Sequence, residues 1–375
     1  MATSQSPTRW RRRSGCWAGG RRCCCWTVPK KPTICRNCCR CAAEEAAATA
    51  ICEQVGGWPL AVRLAGRYLQ EAEETAAEYA AWLATTPLAA LSLGTHQAEN
   101  GEVLLERSVA QVDETARRLL GLVGQLALQP VAAAGLAVAV ALPVSQLKQG
   151  WRQLLGYGLL QKRGDGYEVT HPLIHTYASR RLEPAAEDFT RLVAYYHELA
   201  RTESEKGLAG YHRLASERAH LLRLLAGCLA QQEWVMAKRL AWVLTDERSF
   251  LRLQGYWTEL LIALEAGLTA AQQLEDRYGE GAFLGNLGLA YSDLGQVEKA
   301  IGFYEQALAI SREIGHRQGE GNHLGNLGLA YRDLGQMEKA IGCLEESLAI
   351  FVAIKSPNAR LVQQWLDELK GKANA

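Results

Sequence analysis

The 375-residue chain has no apolar run long enough to span a bilayer. Its most apolar stretch, Val131 to Val144, is short and contains Gly and Pro, so it reads as a buried helix. Aromatic residues are few, at 7%, while Ala, Leu, Glu and Arg are abundant, a composition that favours helix. Acidic residues are missing altogether before Ala42, where ten Lys and Arg occur. The remainder carries 31 basic against 40 acidic side chains, and such a net acidic body does not suit nucleic acid. Cysteine is almost absent from that body. Eight of the eleven precede Ala42, and Cys52, Cys228 and Cys343 are widely spaced, which excludes a disulfide framework there and points to a reduced, cytoplasmic setting.

The signatures of common chemistries are also missing. No Gly-x-x-x-x-Gly-Lys-Ser/Thr string occurs, so nothing in the sequence offers the backbone N–H groups and Lys that cradle a nucleotide's phosphates. There is no His-Glu-x-x-His and no nucleophile elbow. Trp242 to Glu247 imitates a metal-binding strand end but lies in helical text, and His171 and His175 have metal-like spacing without an evident third ligand. No catalytic residue is expected, and the chain reads as a non-enzyme.

Residues 1–41 form a basic, Cys-rich segment expected to be a disordered tail. Cys35, Cys38 and Cys41 have zinc-like spacing, but no His accompanies them, and the tail reading is preferred over a metal site. The composition changes abruptly at Ala42, as upstream sequence read in a shifted frame would make it do.

From Ala42 onward the text is helical. One helix stops at Gly56-Gly57, and Pro59 opens the next. Three further helices are expected at Asp113–Ala127, Val131–Leu142 and Ser145–Leu155, followed by a hairpin signalled by Asp165-Gly166. Three helices and a hairpin describe a winged helix. Amphipathic helices fill the text from Phe189 to Val243.

The C-terminal third repeats itself. Residues 279–314 and 319–354 share 25 of 36 positions, and a worn copy precedes them, with Gly255, Gly295 and Gly335 each forty apart. Leu284, Leu287, Tyr291 and Leu294 make an apolar face on a first helix. Val297, Ala300, Ile301, Tyr304, Ala307, Leu308 and Ile314 make one on a second, with Gly295 suited to the turn between them. Each copy is a helical hairpin that can bury its apolar face only by stacking on a neighbour.

These residues resemble the tetratricopeptide repeat. Its Leu-Gly-x-x-Tyr matches Leu287, Gly288 and Tyr291, and again Leu327, Gly328 and Tyr331; its small and aromatic positions match Ala300, Ala340, Tyr304 and Ala307, and become Leu344 and Ser347 in the last copy. The forty-residue period is similar to the longer repeats of kinesin light chain and of spindle-orientation adaptors. That resemblance implies a concave groove for a protein or peptide, with Asn286 and Asn326 holding its backbone and Asn322, Ser292, Asp293, Arg332 and Asp333 as neighbours on the same face.

A second resemblance covers residues 42 to about 182. "VGGWPLAVRLAGRYL" resembles the Gly-x-Pro segment of STAND signalling ATPases of the NB-ARC type, and "YEVTHPLIHTYASRRL" the end of their winged helix. It implies ADP contacts from Gly57, Pro59 and His171, although Pro172 stands where the family has Asp. ADP is therefore the one cofactor that the sequence raises, and without a phosphate loop no hydrolysis is expected.

The expected fold is mainly α. It comprises the tail (1–41), a helical domain (42–100), a winged helix (101–183), a helical spacer (184–245), about three tetratricopeptide repeats (246–356) and a capping helix with tail (357–375). The expected function is a non-catalytic protein-interaction and signalling module. The alternatives are an ADP-binding switch fragment and a winged-helix DNA-binding regulator using Lys148, Arg152, Lys162 and Arg163. Neither a membrane nor nucleic acid is an expected partner.

Overall fold

The computed structural model describes residues 11–13, 25–27, 39–86, 97–246 and 249–373. They form two compact units, residues 1–192 and 193–375. The fold is mainly α, with one small three-stranded sheet and a C-terminal array of helical hairpins.

In the first unit, β1 (Arg11–Arg13) pairs antiparallel with β2 (Cys25–Thr27). Helix α1 (Cys39–Gln54) begins three residues before the break in composition at Ala42. Gly56 and Gly57 both take left-handed backbone, at φ 61° and 67°, and turn the chain into α2 (Pro59–Glu71), where Pro59 lacks only an N–H that has no helical partner at that position. α3 (Ala76–Thr85) starts with a reciprocal cap. The Glu78 N–H donates to Thr75 Oγ1 at 3.2 Å, and the Thr75 N–H donates to Glu78 Oε2 at 2.8 Å. Arg107 of α4 (Gln97–Ala110) binds both oxygens of Glu74 and lies 3.8 Å over the Trp82 ring, tying α4 to the α2–α3 pair.

Then follow α5 (Glu114–Gln125), β3 (Val131–Ala132), α6 (Ala133–Val140), α7 (Val144–Gly156), β4 (Leu160–Arg163), β5 (Gly166–Val169) and α8 (Pro172–Arg181). The sheet order is β3-β5-β4, antiparallel throughout. Two details differ from the expectation. The helix expected from Val131 starts at Ala133, because Val131 and Ala132 pair with Tyr167 and Gly166. The missing side chain at Gly166 permits this, since a methyl group there would stand 2.4 Å from the Val131 carbonyl oxygen. The hairpin loop is Gly164-Asp165, one residue earlier than expected, with Gly164 at φ 56°. Trp151 of α7 stacks on Tyr167 of β5 at 4.1 Å between centroids, fixing the sheet to the helices. Asp188, at the start of α9 (Ala186–Ser204), is buried and receives both Arg118 Nε and Nη2 at 2.8 Å. That carboxylate holds the Arg118 guanidinium above its usual pKa.

The second unit contains α10 (Leu208–Ala230), α11 (Trp234–Thr245), α12 (Phe250–Leu253), α13 (Trp257–Gln273), α14 (Arg277–Asp293), α15 (Val297–Glu313), α16 (Arg317–Asp333), α17 (Met337–Ala353) and α18 (Asn358–Ala373). One turn geometry recurs every twenty residues. Gly255, Glu275, Gly295, Gly315, Gly335 and Lys355 all have positive φ, between 53° and 74°. At Gly295 the turn closes with its N–H donating to the Ser292 carbonyl at 2.9 Å and the Gln296 N–H donating to the Tyr291 carbonyl at 2.9 Å. The four helices α14 to α17 form two hairpins, and their seam buries Leu287, Leu327, Ala300, Tyr304 and Leu308. Burial of these faces against each neighbour is what keeps the hairpins helical. Helix α18 closes the stack by burying Val362, Leu366 and Leu369 against Leu344 and Phe351 of α17. Ile314, expected on the buried face of the second helix, is 39% exposed. It lies just past the end of α15, where the helical period no longer sets its direction.

Candidate functional site

The first helices of successive hairpins lie side by side and line one groove of about 780 Å³. Contacts fix their order. The Trp242 ring of α11 meets the Phe283 ring of α14 edge-on at 5.6 Å. Asn322 of α16 accepts at Oδ1 from Asn358 Nδ2 of α18 at 3.3 Å.

Asn286, Asn322 and Asn326 all line this groove. The local sequence explains why. Leu284, Gly285, Leu287 and Gly288 are buried, so the residue between those pairs must face the other side of the helix, and Asn286 is half-buried. Asn326 repeats the arrangement forty residues later. Among the described residues neither carboxamide has a hydrogen-bond partner. Each therefore presents an N–H₂ donor and a carbonyl acceptor to the groove. Asn322 is more exposed and also accepts from Gln318 Nε2 at 3.3 Å.

His323 forms part of the floor and is 8% exposed. Its Nδ1 is buried without a partner. Burial, with a smaller contribution from the nearby His316, lowers its pKa to about 4, so the ring is neutral at physiological pH. Large aromatic residues stand at both ends, the half-exposed Trp242 and Tyr278 at one and the half-buried Trp365, above a buried Phe351, at the other. Among the described residues no Lys or Arg lines the groove, Asp246 is its one carboxylate, and His316 is a second imidazole in the lining. Glu320, buried close by in α16, is already neutralised by Arg312 and Arg317.

The sequence reading missed His323 and the aromatic ends. The signal available was that Phe283 and His323 occupy the same position in copies that otherwise share most residues. Four expected site residues are not in the groove. Ser292, Asp293, Arg332 and Asp333 lie in the last turns of α14 and α16. Asp293 pairs with Arg252 at 2.5 Å, Arg332 pairs with its neighbour Asp333 at 2.8 Å, and Ser292 hydrogen-bonds to Tyr304. The helical period gave the face but not the depth. Asp293 is seven residues beyond Asn286, two turns or about 10 Å down the axis.

In the first unit, Gly57 and Pro59 shape the turn into α2, and His171 caps α8, its Nδ1 accepting from the Leu173 N–H at 3.2 Å. Arg63, one turn after Pro59, donates from Nη2 to the Thr170 carbonyl at 3.1 Å, next to His171. Burial, then the Arg63 charge, lowers the His171 pKa. Arg63 Nε is buried without a partner. The cluster offers an anion one cation and one imidazole nitrogen. A nucleoside diphosphate draws most of its binding from a run of backbone N–H groups around its phosphates, and these residues supply none, so they do not fit ADP as a whole. The cations Lys148 and Arg152 on α7, and Lys162 and Arg163 on β4, are exposed. Cys35 and Cys38 lie outside the described residues, and Cys41 falls within α1. Among the described residues no three His, Cys, Asp or Glu side chains cluster as metal ligands. No helix there is long and apolar enough to cross a membrane.

The family model of the tetratricopeptide repeat matches residues 280–353, the two hairpins whose first helices carry Asn286 and Asn326. This part of the chain is a tetratricopeptide repeat array. No curated protein matches the sequence. Among solved structures, a Signal Transduction ATPase with Numerous Domains (STAND) protein with a tetratricopeptide repeat sensor, from Pyrococcus horikoshii, matches over 81% of this chain and 61% of its own, at 17% identity and a TM-score of 0.27. The present chain thus spans less than two thirds of that protein's length.

Proposed function

We propose that this chain is a non-catalytic interaction module of a STAND-type signalling regulator, and that its tetratricopeptide repeats hold an extended protein or peptide segment in their groove. The observation that carries this reading is the pair of unpartnered carboxamides on Asn286 and Asn326, set at one repeat's spacing along the groove. A carboxamide can give one hydrogen bond to a peptide carbonyl and take one from a peptide N–H, so it grips a backbone whatever its side chains. In this reading residues 42–100 are the NB-ARC-type helical domain and residues 101–183 the winged helix, whose helix–strand–helix–helix–strand–strand order suits it. The chain acts in the cytoplasm.

Selection of a random dodecapeptide phage library on the full chain tests the groove. The expected result is a convergent family of peptides that bind the Asn286→Ala/Asn326→Ala protein about tenfold or more weakly, with unchanged far-UV circular dichroism. Peptides that bind both proteins equally would remove the assignment.

One observation favours a second reading, an anion contact in the first unit. Arg63 carries a buried, unpartnered Nε beside His171. Calorimetric titration with ADP decides it, and a flat trace ends it.

A further inference from the structure

The groove has a chemical pattern of its own, distinct from the Asn pair. Three of the eleven positions at which the two clear repeats differ lie in its lining. Ala282 is matched by Asn322, Phe283 by His323, and Ser311 by Phe351. The differences make the floor uneven along its length. One end is aromatic, with Trp242 packed on Phe283 and Tyr278 beside it. The middle is polar, with His323 and Ser311. At the other end Trp365 is half-buried and Leu361 exposed, over a Phe351 that is buried in the core. Trp242 and Tyr278 remain about half exposed, at 45% and 54%, as do two aliphatic lining residues, Ile314 at 39% and Leu361 at 46%. Large apolar side chains are thus left uncovered at both ends of a groove whose centre is hydrogen-bonding.

His323 sets the central requirement. The ring lies against Gly285, and the absence of a side chain there is what lets it lie so deep: an added methyl group would stand 2.6 Å from Cε1. With Nδ1 sealed and unpartnered, Nε2 is the ring atom left to meet a ligand. The neutral ring presents either a donor or an acceptor at Nε2, depending on its tautomer, and a hydroxyl group answers both. Charge sets the third requirement. Among the described residues no Lys or Arg lines the groove, Asp246 is the carboxylate there and His323 is neutral, so apart from the His316 imidazole an anion would meet no cationic side chain among them.

Length follows from spacing. Helices α11, α14, α16 and α18 span three intervals of about 10 Å, or about 30 Å. An extended chain rises about 3.3 Å per residue, so about nine residues cover the groove.

We propose that the groove selects an extended, non-acidic segment of about nine residues with a large apolar side chain near each end and a Ser or Thr hydroxyl at its centre, and that phosphorylation of that hydroxyl releases it. The proposal rests on the peptide-groove reading given above and specifies its ligand.

The test is a positional-scanning library of end-blocked nonapeptides, read by fluorescence polarisation on the full chain. The probes are the library pools and, at the central position, matched peptides with Ser, Ala, Glu and phosphoserine. The expected result is enrichment of Phe, Trp or Leu near both ends and of Ser or Thr at the centre. Alanine at the centre should weaken binding about fivefold, the loss of one hydrogen bond, and phosphoserine by about tenfold or more. In the His323→Phe protein, which takes the residue of the preceding repeat, the central preference should vanish while the end preferences remain. His323→Gln should keep part of the central preference, which separates a lost hydrogen bond from a disturbed floor. Enrichment of Asp, Glu or phosphoserine at the centre would overturn the proposal and leave the groove reading standing. Failure of every pool to bind would overturn both.

Discussion

The His323 imidazole lies directly against the backbone of Gly285, one repeat earlier, with room for no added carbon between them. This contact ties the depth of the groove to a single glycine. Gly285→Ala should push the ring outward and cost about 1–3 kcal/mol of stability by overpacking. Gly302→Ala and Gly342→Ala provide the contrast. Both are interior helical positions with nothing within 4 Å of an added methyl group, so each should gain about 0.5–1 kcal/mol from helix propensity. Urea melts of the three variants check the difference in sign.

The twenty-residue series of left-handed turns predicts where the array is suboptimal. Glu275 and Lys355 hold that conformation, at φ 53° and 54°, where the turns at 255, 295, 315 and 335 use Gly. Glu275→Gly and Lys355→Gly should each stabilise the chain by about 1 kcal/mol, because only Gly adopts this backbone without a Cβ penalty. Thermal melts should show a rise of about 3 °C per substitution.

His323 predicts a pH dependence whose sign is fixed. In the folded chain its pKa is lowered to about 4, chiefly by burial, whereas in the unfolded chain it takes the ordinary value near 6.5. Between these two values the unfolded state binds a proton that the folded state refuses. Stability from this residue is complete above about pH 6.5 and falls on acidification towards pH 4, by at most roughly 1.4 kcal/mol per pH unit. Comparison of urea midpoints at pH 7 and pH 5 should show a smaller acid loss in His323→Phe than in the unaltered chain.

How much of this was legible in the sequence depends on which physical signal carried it. The hairpin array was legible because burial at Leu287 and Leu327, and the turns at Gly295 and Gly335, recur forty residues apart, while within each copy the apolar residues follow the three-to-four-residue spacing of a helix. The strand at Val131–Ala132 was not. It is two residues long, sits in apolar text that reads as helix, and exists because a distant Gly166 lets the chains approach. The positions of Asn286, Asn322 and Asn326 in one groove follow from helical period. The exclusion of Asp293 and Asp333 does not, because period fixes direction around a helix and says nothing of where along its axis a groove ends. His323 was illegible for a different reason. Its role comes from what packs on it, and Phe283 at the matching position makes it look like an ordinary core substitution.

The central claim is that a partner lies along the first helices of the repeats and not at their connecting turns. Site-specific photo-cross-linking tests it most directly, with a benzophenone side chain placed at Ala282 in the groove or at Asp333 in the last turn of α16, each irradiated with a library-selected peptide. The account predicts an adduct at position 282 and none at 333. Equal labelling at both positions, or labelling at 333 alone, would contradict it.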